Sequence, residues 1–288
     1  MVYLLALGSA FFYGAADFAG GLTTRRAGAI PVVLISQFSG LAVLVLLLPL
    51  LPAASPIRSD LLWGVAAGLT GSIGVALLYH ALAIGTMAVV APTTAVCAVA
   101  IPVLISVVLG ERPALLAVAG IALGITSIVL VSQHSTGDSA DRLDGTVRRL
   151  LPPGVGTALI SGVAIGFFLL TLAQTRPAAG LWPLVASRSV SALLFSVIAL
   201  MGRHSLRMPA RVAALVIVAG VIDVLANALY LLAAQQGPLS TVVTLCSLYP
   251  ASTVLLARFV LKERLNLVQV TGVACAMAAV LLIVSGGR

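Results

Sequence analysis

The sequence predicts an all-α integral membrane protein: ten transmembrane helices, arranged as two inverted five-helix repeats. Three observations carry that reading. Charged residues make up 8% of the 288 positions and hydrophobic residues 61%, and the mean hydropathy is +1.19. A soluble domain is about one quarter charged, so this chain has too few charges to cover a water-facing surface. The apolar residues also fall into ten runs, each near the roughly 20 residues that a hydrocarbon core of about 30 Å requires. Finally, the chain repeats itself at an offset of 152 residues, without a gap.

In chain order, the first span is Val2–Leu22. It lacks a basic leader and Asp17 interrupts it, so it reads as a span rather than a signal peptide. Arg25 and Arg26 lead through RRAGAIP to Ile30–Leu51, which opens on Pro31. The turn-rich segment LPAASPIRSD precedes Leu61–Ala83, where Trp63 sits as an interfacial anchor. Met87–Leu109 contains Pro92 and Pro102, each of which removes a helical hydrogen bond and favours a kink. Glu111-Arg112-Pro113 separates it from Ala114–Ser132. The longest polar stretch, QHSTGDSADRLDGTVRR over Gln133–Arg149, lies mid-chain. The predicted organisation is therefore a first repeat over residues 1–133, a linker over 134–152 and a second repeat over 153–288. The second repeat supplies Gly154–Ala173, Leu181–Met201 (with Trp182 as its anchor), Val212–Ala234, Leu239–Leu261 and Leu267–Ser285.

The two copies are marked by a charged knot after the fourth helix of each, Glu111-Arg112 and Glu263-Arg264. The same offset relates Ser9 to Ser161, Gly14 to Gly166, Pro31 to Pro183 and Gly120 to Gly272. Five is odd, so the second copy enters the membrane from the opposite side. Inverted repeats are a recurrent architecture of secondary transporters, with the substrate site near mid-membrane between the halves. The knots read as structural hinges. A Glu ahead of a helix complements the N-terminal dipole, and Pro113 suits a first turn.

Let side Y be the side where the first helix begins and side X the other. Ten basic residues fall on X (Arg25, Arg26, Arg142, Arg148, Arg149, Arg203, Arg207, Arg211, Lys262, Arg264) and four on Y (Arg58, Arg112, Arg176, Arg288). Positive charge collects on the cytoplasmic side, so the count makes X cytoplasmic. The net charge of +8 thus reflects orientation in a bilayer and is no nucleic-acid signal. Cys97, Cys246 and Cys275 are embedded in apolar runs without metal-type spacing and read as packing residues. No metal site or cofactor is expected. A membrane-embedded enzyme would need clustered ligands or a nucleophile with a base. His80, His134 and His204 are scattered, and neither HExxH nor GxSxG occurs. A scaffold protein would be expected to carry long loops or a soluble domain.

A charge within a bilayer is costly and is a functional candidate by default. Asp17, Arg188, Asp223 and Arg258 fall within predicted spans. Asp223 lies near mid-membrane and Arg188 about 10 Å from side Y, a depth difference of about 5 Å, so the two are expected to pair. That pair reads either as a gate or proton-coupling site or as a fixed salt bridge. Asn227 and Tyr230 follow Asp223 at i+4 and i+7 and share its helix face. Asp17 lies nearer side X, at a depth closer to His80 and Arg258. It is a proton-carrier or salt-bridge candidate, His80 a proton-relay candidate, and Arg258 a snorkelling residue. Tyr249, beside Pro250, is the aromatic candidate for a cavity wall, with a backbone carbonyl freed one turn earlier.

These residues resemble the EamA-type members of the drug/metabolite transporter superfamily. The resemblance rests on the two five-helix repeats, the Leu-Gly-Glu-Arg and Leu-Lys-Glu-Arg knots, Pro31 and Pro183 opening the second helix of each half, and Arg188 shortly after Pro183. It covers nearly the whole chain. Ser36 stands where the first half would carry an Arg, and Pro102 is shifted relative to Pro250. The resemblance implies a bacterial-type plasma or inner-membrane protein with both termini in the cytoplasm, opposite to the charge count. It also implies export or uptake of a small-molecule substrate by proton coupling or exchange. The lipid bilayer is the expected surrounding, and a homodimer is one arrangement open to the chain.

Overall fold

A computed structural model describes residues 1–50, 53–108, 114–132, 152–236, 242, 245–246, 248–263 and 267–286. Its helices are α1 (Val2–Ala27), α2 (Ala29–Leu47), α3 (Arg58–Ile84), α4 (Met87–Val108), α5 (Leu115–Ser132), α6 (Val155–Ala173), α7 (Trp182–Met201), α8 (Ala210–Gln236), α9 (Tyr249–Val260) and α10 (Leu267–Gly286). No strand occurs among the described residues. Six helical segments are long and apolar enough to cross a membrane: Val2–Ala27, Ala29–Leu50, Arg58–Ile84, Val155–Leu172, Trp182–Met201 and Ala210–Tyr230. Helix α1 runs a turn beyond its apolar stretch and carries Arg25 and Arg26 in its last turn, where cations complement the helix dipole.

One element departs from expectation. Pro250 was expected in mid-helix with an unpaired carbonyl behind it. Instead Leu248 sits in a turn and α9 begins at Tyr249, with Pro250 in its first turn. There the missing N–H is no loss, because first-turn amides have no helical acceptor. The chain breaks the helix rather than bending it, so Tyr249 stands at a helix start inside the bundle.

The principal helix pairings cross between the two halves: α5 with α10, α1 with α8, α3 with α6, α4 with α6, α3 with α7 and α2 with α8. The pairings α1–α8 and α3–α6 are equivalent under the 152-residue offset, and two sets of hydrogen bonds obey it. Ser9 Oγ donates to the Ala226 carbonyl at 2.8 Å, and Ser161 Oγ to the Gly74 carbonyl at 2.8 Å. Thr94 Oγ1 donates to the Ala158 carbonyl at 3.3 Å, and Cys246 Sγ to the Ala6 carbonyl at 3.4 Å. In each set both members shift by 152.

Helices α5 and α10, the last of each half, run antiparallel. A Cβ on Gly286 would lie 3.0 Å from Ala117 Cβ, one on Gly120 2.9 Å from Leu282 Cβ, and one on Gly124 3.6 Å from Ala279 Cβ. Numbers rise along one helix as they fall along the other, so equivalent helices point in opposite directions. Small residues permit this approach, since close van der Waals packing holds apolar helices together in lipid.

Among the described residues, apolar packing is not symmetric. The largest buried cluster gathers Phe18, Val32, Leu82, Val90, Ala158, Phe195, Val216 and Ala257, contributed by eight helices. These residues lie toward the ends of α1, α3, α7 and α9 and the starts of α2, α4, α6 and α8, all on side X. The described clusters toward side Y comprise Ala6, Ala233, Val242 and Cys246 in one and Leu44, Leu181 and Val224 in another. Correspondingly α1 packs on α3, whereas the equivalent α6 and α8 make at most slight contact among the described residues.

Candidate functional site

Helix α7 opens at Trp182 with Pro183 in its first turn, which places Arg188 six residues in, roughly 9 Å along the axis. Asp223 lies midway along α8. Arg188 Nη2 and Asp223 Oδ2 form an ion pair, and Arg188 Nη1 donates to Gln37 Oε1 at 2.7 Å. Helix α2 is thereby tied to α7 and α8, linking the two halves. Close approach of α2 and α8 makes this possible: a Cβ on Gly40 would lie 2.9 Å from Val224 Cγ2 and 3.6 Å from Arg188 Nη1. The guanidinium has an anionic and a neutral acceptor, as a cation in an apolar interior requires. Both ionic side chains keep some accessible surface, 15% for Arg188 and 22% for Asp223. Asn227 shares this face, but its Nδ2 donates back to the Asp223 carbonyl at 2.8 Å.

Tyrosines form the second part of the site. The rings of Tyr13 and Tyr249 meet edge to face, with centroids 6.4 Å apart. Thr253 Oγ1 donates to the Gly14 carbonyl at 3.0 Å and holds α1 against the start of α9. The buried Tyr79 ring lies over Gly20, where a Cβ would overlap it. Asp17 is within electrostatic range of Tyr13, Tyr79 and Tyr249. Tyr13 is also within range of Tyr230, and both Tyr13 and Tyr79 are within range of Arg188. Four of the chain's five tyrosines therefore gather at this interior site, while Tyr3 is exposed.

The structure joins Arg188, Asp223 and Asn227 directly, and sets Asp17, Tyr230 and Tyr249 around Tyr13. His80 is placed elsewhere: it is exposed, while its neighbour Tyr79 is buried. Consecutive helical residues point about 100° apart, so the turn that delivers Tyr79 to the interior carries His80 away from Asp17. Arg258 Nη1 donates to the Glu263 carbonyl at 2.9 Å near the helix end. Gln37, Tyr13 and Tyr79 belong to no motif in the sequence. The available signal for the tyrosines was their rarity combined with placement in apolar runs.

The knot takes a different role from the expected one. Glu263 was expected to complement the helix that follows it. Its Oε1 and Oε2 instead accept the backbone N–H groups of Met87 and Ala88, each at 3.1 Å. It therefore caps α4, in the other half of the chain. Arg25 lies 3.6 Å from the same carboxylate and donates to the Leu82 and Gly85 carbonyls, both at 3.2 Å. Four helix ends are joined on side X, beside a cleft of about 460 Å³ lined by Arg25, Gly85, Thr86, Pro152 and Glu263. Glu111, Arg112 and Arg264 lie outside the described residues. On side Y, an ion pair not anticipated from sequence joins Asp60, only 1% exposed, to Arg176 at 2.9 Å. The Arg176 and Ile57 backbone N–H groups also donate to Asp60, at 3.1 and 3.0 Å.

The EamA-like transporter family matches this chain twice, over residues 1–133 and 152–285. The chain belongs to that family. As an EamA-like transporter it is a multi-pass membrane protein of the drug/metabolite transporter superfamily, a family of transporters rather than enzymes. The fold is shared with a solved structure described as a crystal structure of a protein. That likeness has a TM-score of 0.61 and 16% identity, over 98% of this chain and 95% of the other. No protein of curated function matches the chain.

Proposed function

We propose that this EamA-like transporter is a ten-span secondary transporter of a small metabolite or drug. It works by alternating access, coupled to protons or by exchange, in a bacterial-type inner membrane. The observation that carries the reading is the Arg188–Asp223–Gln37 cluster, a partly accessible ion pair that ties one half to the other. Antiparallel α5 and α10 supply the symmetric frame that two mirrored states require. The unequal packing supports a state closed on side X, where Tyr79 covers Gly20 and the large apolar cluster lies, and looser on side Y. In the opposite state α6 and α8 close as α1 and α3 part. Protonation of Asp223, or its displacement by a substrate, releases Arg188 and permits the exchange.

The test is flux in proteoliposomes under an imposed pH gradient, across a panel of metabolites and drugs. Asp223→Asn is expected to insert normally and to lose about tenfold or more of coupled flux. Unchanged flux with the same pH dependence removes Asp223 from the mechanism.

A further inference from the structure

We propose that the turn between α7 and α8 binds an anionic phospholipid, with the headgroup phosphate held among Arg203, Arg207 and Arg211.

Trp182–Met201 and Ala210–Tyr230 are each long and apolar enough to cross a membrane, so residues 202–209 lie at the bilayer surface on side X. Arg203, Arg207 and Arg211 are exposed there, and so are the apolar Leu200, Met201 and Leu206. Basic groups interleaved with apolar ones suit a headgroup together with the upper part of its acyl chains. An aqueous anion gains nothing from the apolar side chains.

The backbone that carries the arginines is fixed at both ends. At the end of α7 the Arg203 N–H donates to the Leu200 carbonyl at 3.2 Å and the His204 N–H to the Ala199 carbonyl at 2.9 Å. At the start of α8 the Pro209 carbonyl accepts the Val212 and Ala213 N–H groups, at 2.8 and 3.0 Å. Met208, between them, packs against the large apolar cluster on side X.

Two of the arginines stand where their positions are locally unfavourable. Arg203 has a left-handed φ of 48°, at the place that glycine ordinarily fills in this helix-ending motif. Gly202 stands one residue too early, at φ −79°. Arg211 lies in the first turn of α8, where the positive end of the helix dipole opposes a cation. Lys262, the other non-glycine residue with positive φ among those described, is also basic and on side X. Its equivalent under the 152-residue offset is Gly110. Orientation in a bilayer needs an excess of basic residues on one side, not their placement at a left-handed position or a helix start. A bound phosphate offsets the repulsion at the start of α8 and gives Arg203 a partner.

The internal repeat serves as a control. The equivalent turn, residues 51–59, reads LPAASPIRS and has one arginine, Arg58, where RHSLRMPAR has three. The turn can therefore be built without them. Acidic residues do not use them up either. The ion pairs among the described residues join Glu263 to Arg25, Asp60 to Arg176 and Asp223 to Arg188. The linker on side X carries Asp138, Asp141 and Asp144 against Arg142, Arg148 and Arg149, so it brings no net negative charge.

The experiment follows thermal unfolding of the full chain in an uncharged detergent as one of three probes is added. These are dioleoylphosphatidylglycerol, dioleoylphosphatidylcholine with the same chains, and glycerol 1-phosphate without chains. The rise in unfolding temperature with concentration reads the affinity. Phosphatidylglycerol is expected to bind at least about tenfold more tightly than the other two. Arg203→Gln, Arg207→Gln and Arg211→Gln are each expected to weaken it about fivefold, and the triple variant about a hundredfold. Arg58→Gln, in the side-Y turn, is expected to leave it unchanged. Arg203→Gly separates charge from packing. Without lipid it is expected to unfold at a higher temperature, because the left-handed residue is relieved, and still to bind phosphatidylglycerol about fivefold more weakly.

Equal binding of phosphatidylcholine makes the effect one of acyl chains and overturns the inference. Equal binding of glycerol 1-phosphate makes the site one for aqueous anions and overturns it as well. So does undiminished phosphatidylglycerol affinity in the triple variant, or a loss of both stability and affinity in Arg203→Gly. Should the triple variant not fold, the wild type decides: raising salt about tenfold is expected to weaken phosphatidylglycerol binding, and an unchanged affinity overturns the site.

Discussion

Arg188 binds Asp223 through one terminal nitrogen and Gln37 through the other, so single truncations strand a charge. Arg188→Ala leaves Asp223 without its cation and is expected to cost about 3 kcal/mol, a cost that adding Asp223→Asn should partly relieve. Thermal unfolding of the two variants in detergent checks this; a double variant no more stable than Arg188→Ala contradicts the pair's energetic role. Gly20 is a second sensitive position. A Cβ there overlaps the Tyr79 ring, so Gly20→Ala is expected to lower the unfolding temperature and to expose Tyr79 to iodination or fluorescence quenching. At this scale the sequence was legible where helical periodicity applied: Asp223, Asn227 and Tyr230 share a face by spacing alone. Gln37 was not legible. An uncharged amide in a span carries no signal of its own until the partner it serves is located.

Between elements, the deciding contact is the Glu263 cap on α4. The knot was conspicuous in sequence, but its partner was assigned to the adjacent helix because local capping is the common case. In a bundle whose halves interlock, the nearest unpaired helix start in space is not the nearest in sequence. Glu263→Ala is expected to cost about 1 kcal/mol through loss of the cap. It should also loosen side X, so that a Thr86→Cys probe, introduced with the native cysteines changed to serine, reacts faster with a membrane-impermeant maleimide. An unaltered rate means that the cap does not hold side X closed. The break before α9 follows the same logic, since Pro250 is favourable at a helix start and costly inside one.

Across the described residues, four interhelical hydrogen bonds obey the 152-residue offset while the largest apolar cluster lies on one side. The proposed alternating access asks for a symmetric frame filled asymmetrically. Spin labels at Ile125 and Val270, exposed on the scaffold helices α5 and α10, are expected to keep one distance with and without substrate. Labels at Arg26 and Ile84, exposed at the side-X ends of α1 and α3, are expected to separate when that side opens. Equal behaviour of the two pairs in double electron–electron resonance removes α5 and α10 as the fixed scaffold.

By itself the sequence determined the membrane class, the two repeats and their register. Composition and periodicity are properties of the chain that hold whatever its neighbours are. It also indicated that Arg188 and Asp223 should meet, because their depths follow from position along a helix of fixed rise. Only the tertiary structure decided which way each side chain points and which distant helix it meets. That brought Gln37 to Arg188, turned His80 outward as Tyr79 turned in, carried Glu263 to the start of α4, and paired Asp60 with Arg176. Rotation about a helix axis and partner choice between halves are set by packing against small residues such as Gly14, Gly20 and Gly40, and packing is decided by the bundle as a whole.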